Sequence, residues 1–100
     1  VISEENAMSG VRIGDVVFDR VDYDEGADVL YLHVGDPSAA VAFDESPEGY
    51  ALRFDASGRL VGVTLVGARH AIDAGEPLSV TLPSRVEIDT DQVEAAISAA

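Results

Sequence analysis

Apolar and polar residues alternate with a period of two along much of this chain, the mark of strands that bury one face. Tyr50, Leu52 and Phe54 alternate with Ala51, Arg53 and Asp55, and Val16–Tyr23 repeats the rhythm with Val17, Val21 and Tyr23 on one side. Val29–Val34 and Leu60–Val66 are apolar on both sides, which predicts two central strands covered on each face. Ala39–Asp44 and Leu78–Leu82 are shorter strand candidates. Acid-and-glycine stretches at 23–28 and 54–60 separate these runs. In each, an Asp can accept from the amides ahead of it while a Gly takes the left-handed conformation, so tight antiparallel hairpins are expected. Residues 35–38 and 46–49 mark two further reversals, and 67–77 is least patterned, with a helical turn around Arg69–Asp73.

The period then changes. Asp89-Thr90-Asp91-Gln92 is a capping-box pattern, with Asp89 at the N-cap and Gln92 three residues on. Ile88 and Val93 occupy the staple positions, and Val93, Ala96, Ile97 and Ala100 form one apolar stripe, predicting a helix from about 90 to 99. The expected fold is α+β and mainly β, an antiparallel β-meander of about five or six strands with one C-terminal helix. Residues 1–10 read as a disordered N-terminal segment or upstream remnant, leaving 11–100 as a single domain. One short, alanine-rich helix cannot cover both faces of a sheet. A second copy supplying the missing layer, a homodimer, is therefore expected.

Composition narrows the chemistry. The 100 residues carry 19 acids against six bases, all six arginine, for a net charge of −13. That field opposes nucleic acid and anionic membranes, and the arginines are scattered in sequence. No run is long and apolar enough to span a bilayer, and the N-terminus lacks the basic and apolar parts of a signal peptide. Cysteine is absent, which removes thiol nucleophiles, disulfides and thiolate zinc sites and points to the cytoplasm. Lysine is absent too, removing Schiff-base chemistry and the P-loop. No serine stands in a G-x-S-x-G elbow.

Tyr23-Asp24-x-x-x-Asp28-Val29-Leu30-Tyr31-Leu32, followed by Asp55-x-x-Gly58-Arg59-Leu60-Val61-Gly62-Val63-x-Leu65, resembles the DUF2283 family of small bacterial proteins of unknown function. The resemblance spans about residues 20–68 and implies a β-rich domain, with no activity or cofactor attached. Arg53 stands where members often carry the first Asp of an Asp-x-Asp, and Thr64 where they often carry an acid. The same pattern has a purely structural reading: Asp24 and Asp28 terminate hairpin amides, Gly58 takes positive φ, and Tyr31 and Leu60 fill the core.

The acids Asp19, Asp22, Asp24, Glu25 and Asp28 are the richest oxygen cluster, of the kind hard cations use. The spacing fails an EF-hand loop, with Gly26 at position five and His33 at position twelve. His33 and His70 could join one carboxylate as a metal site, although His33, alternating with Tyr31 and Val29, reads more simply as a sheet residue or subunit contact. The candidate binding residues are Asp24, Asp28, Tyr31 and His33, with no catalytic residue, metal site or cofactor expected. The function expected is a small acidic, non-catalytic interaction module masking a basic protein partner, as an antitoxin or inhibitor does. The alternatives are a metal-dependent or ligand-binding enzyme using the Asp24/Asp28 turn, and a structural oligomerisation domain.

Overall fold

The computed structural model describes residues 10–36, 39–82 and 84–99. Its elements run β1 (Val11–Ile13), β2 (Val16–Phe18), β3 (Arg20–Asp24), β4 (Val29–His33), β5 (Ala42–Glu45), β6 (Ala51–Phe54), β7 (Leu60–Val66), α1 (Ala68–Asp73), β8 (Leu78–Thr81), β9 (Arg85–Ile88) and α2 (Thr90–Ala99). All strand pairs among these residues are antiparallel. Five strands form the central sheet in the order β3-β4-β7-β6-β5, while β1-β2 and β8-β9 are separate hairpins. The molecule is mainly β with a C-terminal helix, as its periodicity indicates.

Within the central sheet the expected meander is interrupted once. The chain leaves β4, builds the β5–β6 hairpin, and returns with β7 beside β4. Strand β7 is thereby the middle strand, consistent with its unbroken apolar sequence. Val16–Tyr23 is two strands rather than one. The chain breaks at Asp19, whose Oδ1 accepts from Gly35 N–H (3.2 Å). Val17 consequently does not share a face with Val21 and Tyr23; it lies on the outer side of the β1–β2 hairpin, 49% exposed. Strands β1 and β9, three and four residues long, were too short for periodicity to register.

The core fills one side of the sheet. Leu30, Leu32, Leu52, Val63 and Leu65 point from the central strands into a cluster with Val11, Ile13 and Phe18 of the first hairpin. Leu78, Val80 and Ile88 of the second hairpin, with Ala68, Val93 and Ala96 of the helices, complete it. Helix α2 starts where the capping pattern places it: Asp89 Oδ1 accepts from Asp91 N–H (2.9 Å), and Ile88 and Val93 are both buried. Gln92 departs from the capping box. Its Oε1 accepts instead from Arg12 N–H (2.8 Å), tying the helix to β1. Ala100, the last residue of the expected stripe, residues 1–9 of the expected N-terminal segment, and Pro37 and Ser38 of the expected 35–38 reversal lie outside the described residues.

Candidate functional site

The turn that joins β3 to β4 carries two candidate aspartates, and the fold uses them differently. Asp24 stays local: its Oδ1 accepts from Ala27 N–H (3.2 Å), closing the turn on the solvent side. Asp28 has φ 54°, a left-handed conformation that Asp tolerates better than most residues. From there its carboxylate reaches α1. The helix begins after Gly67, which has no side chain with which to cap the free amides. Asp28 does the capping from 41 residues upstream: Oδ1 accepts from Arg69 N–H (2.9 Å) and Oδ2 from His70 N–H (3.0 Å). Tyr23 Oη donates to the same Oδ1 (2.8 Å), and Gly67 N–H donates to the Asp28 carbonyl (2.8 Å).

Burial by itself would raise the Asp28 carboxyl, but the Arg69 and His70 amides and the Tyr23 hydroxyl together hold it below its ordinary value. The Tyr23 phenol is correspondingly pushed up, by desolvation and by its bond to Asp28. These groups border an open concavity of about 570 Å³ with Glu25 and Ile97. Arg69 closes its far side, bonding Glu94 (3.1 Å) and Asp73 (3.1 Å) and so joining α1 to α2.

The other Asp/Gly turn repeats the theme within its own loop. Asp55 Oδ1 accepts from Ser57 Oγ (2.6 Å), Ser57 N–H (2.9 Å) and Arg59 N–H (3.0 Å). The Ser57 hydroxyl first, then the Arg59 amide, lower its carboxyl to about 2. Gly58 takes φ 86°, as a turn of this kind requires.

Tyr31 and His33 lie elsewhere. Cross-strand partners share a face, and Tyr31 is paired with Asp22 and Thr64 while His33 is paired with Arg20 and Gly62. Tyr31 does not fill the core as the motif reading expected. It points with Val29 and His33 to the sheet face opposite Leu30 and Leu32. Among the described residues no element packs on that face. Its side chains are their own cover: Tyr31, His33, Ala51 and Arg53 are half-buried, Thr64 beneath them is buried, and Phe43 and Val66 are 69% and 53% exposed.

One row crosses this open face with Arg20 on β3, His33 on β4, Gly62 on β7, Arg53 on β6 and Phe43 on β5. Gly62 makes the row compact: a Cβ there would meet His33 Nδ1 at 3.1 Å and Arg53 Cβ at 3.2 Å. The bare backbone lets the two side chains meet over it, and Arg53 Nη1 lies 3.2 Å from His33 Nε2. A guanidinium only donates, so Nε2 is the bare nitrogen and the ring proton sits on Nδ1, buried and unpartnered. Burial first, then Arg53 and Arg20, depress the imidazole pKa, although Asp22 opposes them.

The four candidate residues therefore do not form one site. Asp24 and Asp28 sit at the turn end of β4, and His33 at its other end, about 13 Å further along a strand. His70 is near Asp28 and not near His33. Among the described residues no group of three or more His, Asp or Glu side chains could hold a metal ion. Sequence reading passed over Tyr23, Arg69, Arg20, Arg53 and Gly62. The hairpin signal held Arg20: with residues 25–28 as the link, partners count outward symmetrically and bring 20 opposite 33, whereas Arg53 meets Gly62 across a register shift in the β6–β7 hairpin.

The fold and its two polar clusters define a small mainly-β domain with a five-stranded sheet covered on one side. The family model for proteins of unknown function, DUF2283, matches residues 20–69, half of the chain, and the chain belongs to that family. The match begins at the first residue of β3 and ends at Arg69, so it takes in the whole central sheet, Asp28 and the first of the two amides that Asp28 caps. The β1–β2 and β8–β9 hairpins and α2 lie outside it. Neither the curated proteins nor the solved structures contain a match. No helix among the described residues is long and apolar enough to cross a membrane.

Proposed function

We propose that this domain is a non-catalytic interaction module that works through the open face of its central sheet. The observation that carries the reading is the contrast in how its side chains are engaged. Asp24, Asp28 and Asp55 all accept from main-chain amides, whereas the face bearing Phe43, Val66, Tyr31 and His33 has no covering layer among the described residues. Carboxylates held by amides serve shape, and an exposed apolar patch is the feature that marks contact surfaces. A cysteine-free, strongly acidic chain suits a cytoplasmic setting. The net charge of −13 favours a basic protein as a further partner, met elsewhere on the surface.

The test pairs the wild type with a Phe43→Arg, Val66→Arg variant. The wild type is expected to associate in sedimentation experiments and the variant to remain monomeric, with the same melting temperature as the wild type at dilutions where both are monomers. Melting in calcium, magnesium, manganese or zinc should give only a weak, non-saturating rise, the signature of screened surface charge. A saturating rise with one cation, abolished by Asp24→Asn, would overturn the reading in favour of a metal-dependent site.

A further inference from the structure

The charge pattern of the open face fits a second copy of the same chain. Next to the row of Arg20, His33 and Arg53 lies a second row, two residues along each strand, with Asp22 on β3, Tyr31 on β4, Thr64 on β7, Ala51 on β6 and Glu45 on β5. The first row has cations and no acid; the second has acids and no cation. In a chain of net charge −13, this face holds two of the six arginines. Arg20 and Asp22 are both exposed and take part in no ion pair within the described residues. A basic partner would meet like charge along the first row. A symmetric dimer instead needs one patch that complements itself, and adjacent rows of opposite sign provide that.

Resting on the interaction-module reading, we infer that two copies stack these faces about a two-fold axis running across the strands between the two rows. Each cationic row then lies over the partner's anionic row, and Arg20 of one copy faces Asp22 of the other. The opposite choice, an axis running along β7, would exchange β3 with β5 and set Asp22 over Glu45, acid against acid. Charge thus selects between the two ways of stacking the same face. In the chosen arrangement the His33 ring and Arg53 stem, which cover Gly62, face the second row of the other copy. Phe43 and Val66 leave water. Five strands spaced about 4.8 Å apart give a footprint of about 400 Å² per copy. At about 800 Å² for the pair this lies below the standard size of specific interfaces, so weak, transient association is expected.

Sedimentation equilibrium on the full chain tests the arrangement. The wild type is expected to dimerise, and Arg20→Asp and Asp22→Arg each to weaken the dimer at least about tenfold, since each sets like charges opposite one another twice. An equimolar mixture of these two variants should pair with wild-type strength, because each supplies the charge the other lacks. The double variant carrying both changes should also self-associate. All substituted positions are exposed, so melting temperatures measured at monomeric concentration should hold. If Arg20→Asp fails to fold, Arg20→Ser removes the attraction without adding repulsion, and a threefold to tenfold weakening is expected. A wild-type dimer indifferent to every one of these changes, or a mixture that fails to pair, overturns the arrangement while leaving the module reading intact. A wild type that stays monomeric at millimolar concentration overturns the second copy as occupant. The module reading itself fails separately, on a saturating cation effect.

Discussion

Strand β4 shows two faces of one sheet with opposite fates. Leu30 and Leu32 are fully excluded from solvent, while Val29, Tyr31 and His33, alternating with them, are only half-covered. Leucines on one side meet two hairpins and two helices; on the other side, Tyr31 and His33 meet only their neighbours on the sheet. The difference teaches that apolar residues on both sides of a strand report two surfaces that exclude water, without saying which molecule covers each. The sharpest way to break this comparison is to truncate both faces of β4. Leu32→Ala should lower unfolding free energy by about 2–5 kcal/mol, from lost burial and the cavity left behind. Tyr31→Ala, measured by urea unfolding at monomeric concentration, should cost about 1 kcal/mol. Equal losses would mean that the open face is packed like the core.

Asp28 and Asp24 sharpen the comparison on a smaller scale, since both carboxylates belong to one turn. Asp28→Ala removes the cap of α1 and places a residue with a Cβ and no polar group at φ 54°, for a loss of about 2 kcal/mol. Asp28→Asn keeps the tolerance for that backbone and one acceptor oxygen, so it should lose less. Asp24→Ala, which gives up one exposed bond to Ala27, should scarcely move the urea midpoint.

The same two turns set the acid limb of stability. The Asp28 carboxyl lies below its ordinary value and Asp55 is lowered to about 2. Folding therefore holds both groups ionised, and their contribution is complete above the ordinary carboxyl value of about 4. It is lost as the pH falls through their lowered values. Stability should decline from about pH 4 towards pH 2, and Asp28→Asn should flatten the upper part of that decline. An unchanged slope in the variant would show that the carboxylate contributes nothing through its charge.

Much of this architecture could be read from the chain alone, for reasons specific to its elements. The central strands were legible because Leu60–Val66 is an unbroken apolar run and Tyr50–Phe54 alternates with period two, and α2 because Asp89 and the Ile88/Val93 pair mark its start. Strands β1 and β9 were not, since three or four residues contain too little alternation. The split at Asp19 depends on Gly35, sixteen residues away, and no local rule contains it. The role of Asp28 was half legible. Its position in an Asp/Gly turn predicted a main-chain partner, but the partner is a helix 41 residues later, not the hairpin itself. Gln92 was misread for the same reason: a capping box assumes that the side chain turns back on its own helix, and β1 offered a free amide instead. Local chemistry identifies a group that will accept a hydrogen bond, and tertiary structure chooses the donor.

The smallest effect concerns Gly62, the point where the two faces are most unequal. On the core side the neighbouring Val63 is buried among leucines, while Gly62 lies under the His33 ring and the Arg53 stem. Gly62→Ala brings a methyl to 3.1–3.2 Å from both, closer than side chains ordinarily approach, so the imidazole must shift outward by a few tenths of an ångström. That shift admits water to the ring, relieving the desolvation that is the main cause of its depressed pKa, and separates it from Arg53. The imidazole titration followed by NMR should therefore move up towards the ordinary histidine value. The linkage has a definite sign. A histidine whose folded pKa is depressed makes the protein lose stability as pH falls through the window between the ordinary value near 6.5 and the lowered one, because only the unfolded chain takes up the proton there. Gly62→Ala should narrow that window, so the variant should lose less stability than the wild type between pH 7 and pH 5 even if it starts from a lower value. An unmoved His33 titration would show that the ring keeps its place without the glycine, and the row across the open face would then owe its compactness to Arg53 alone.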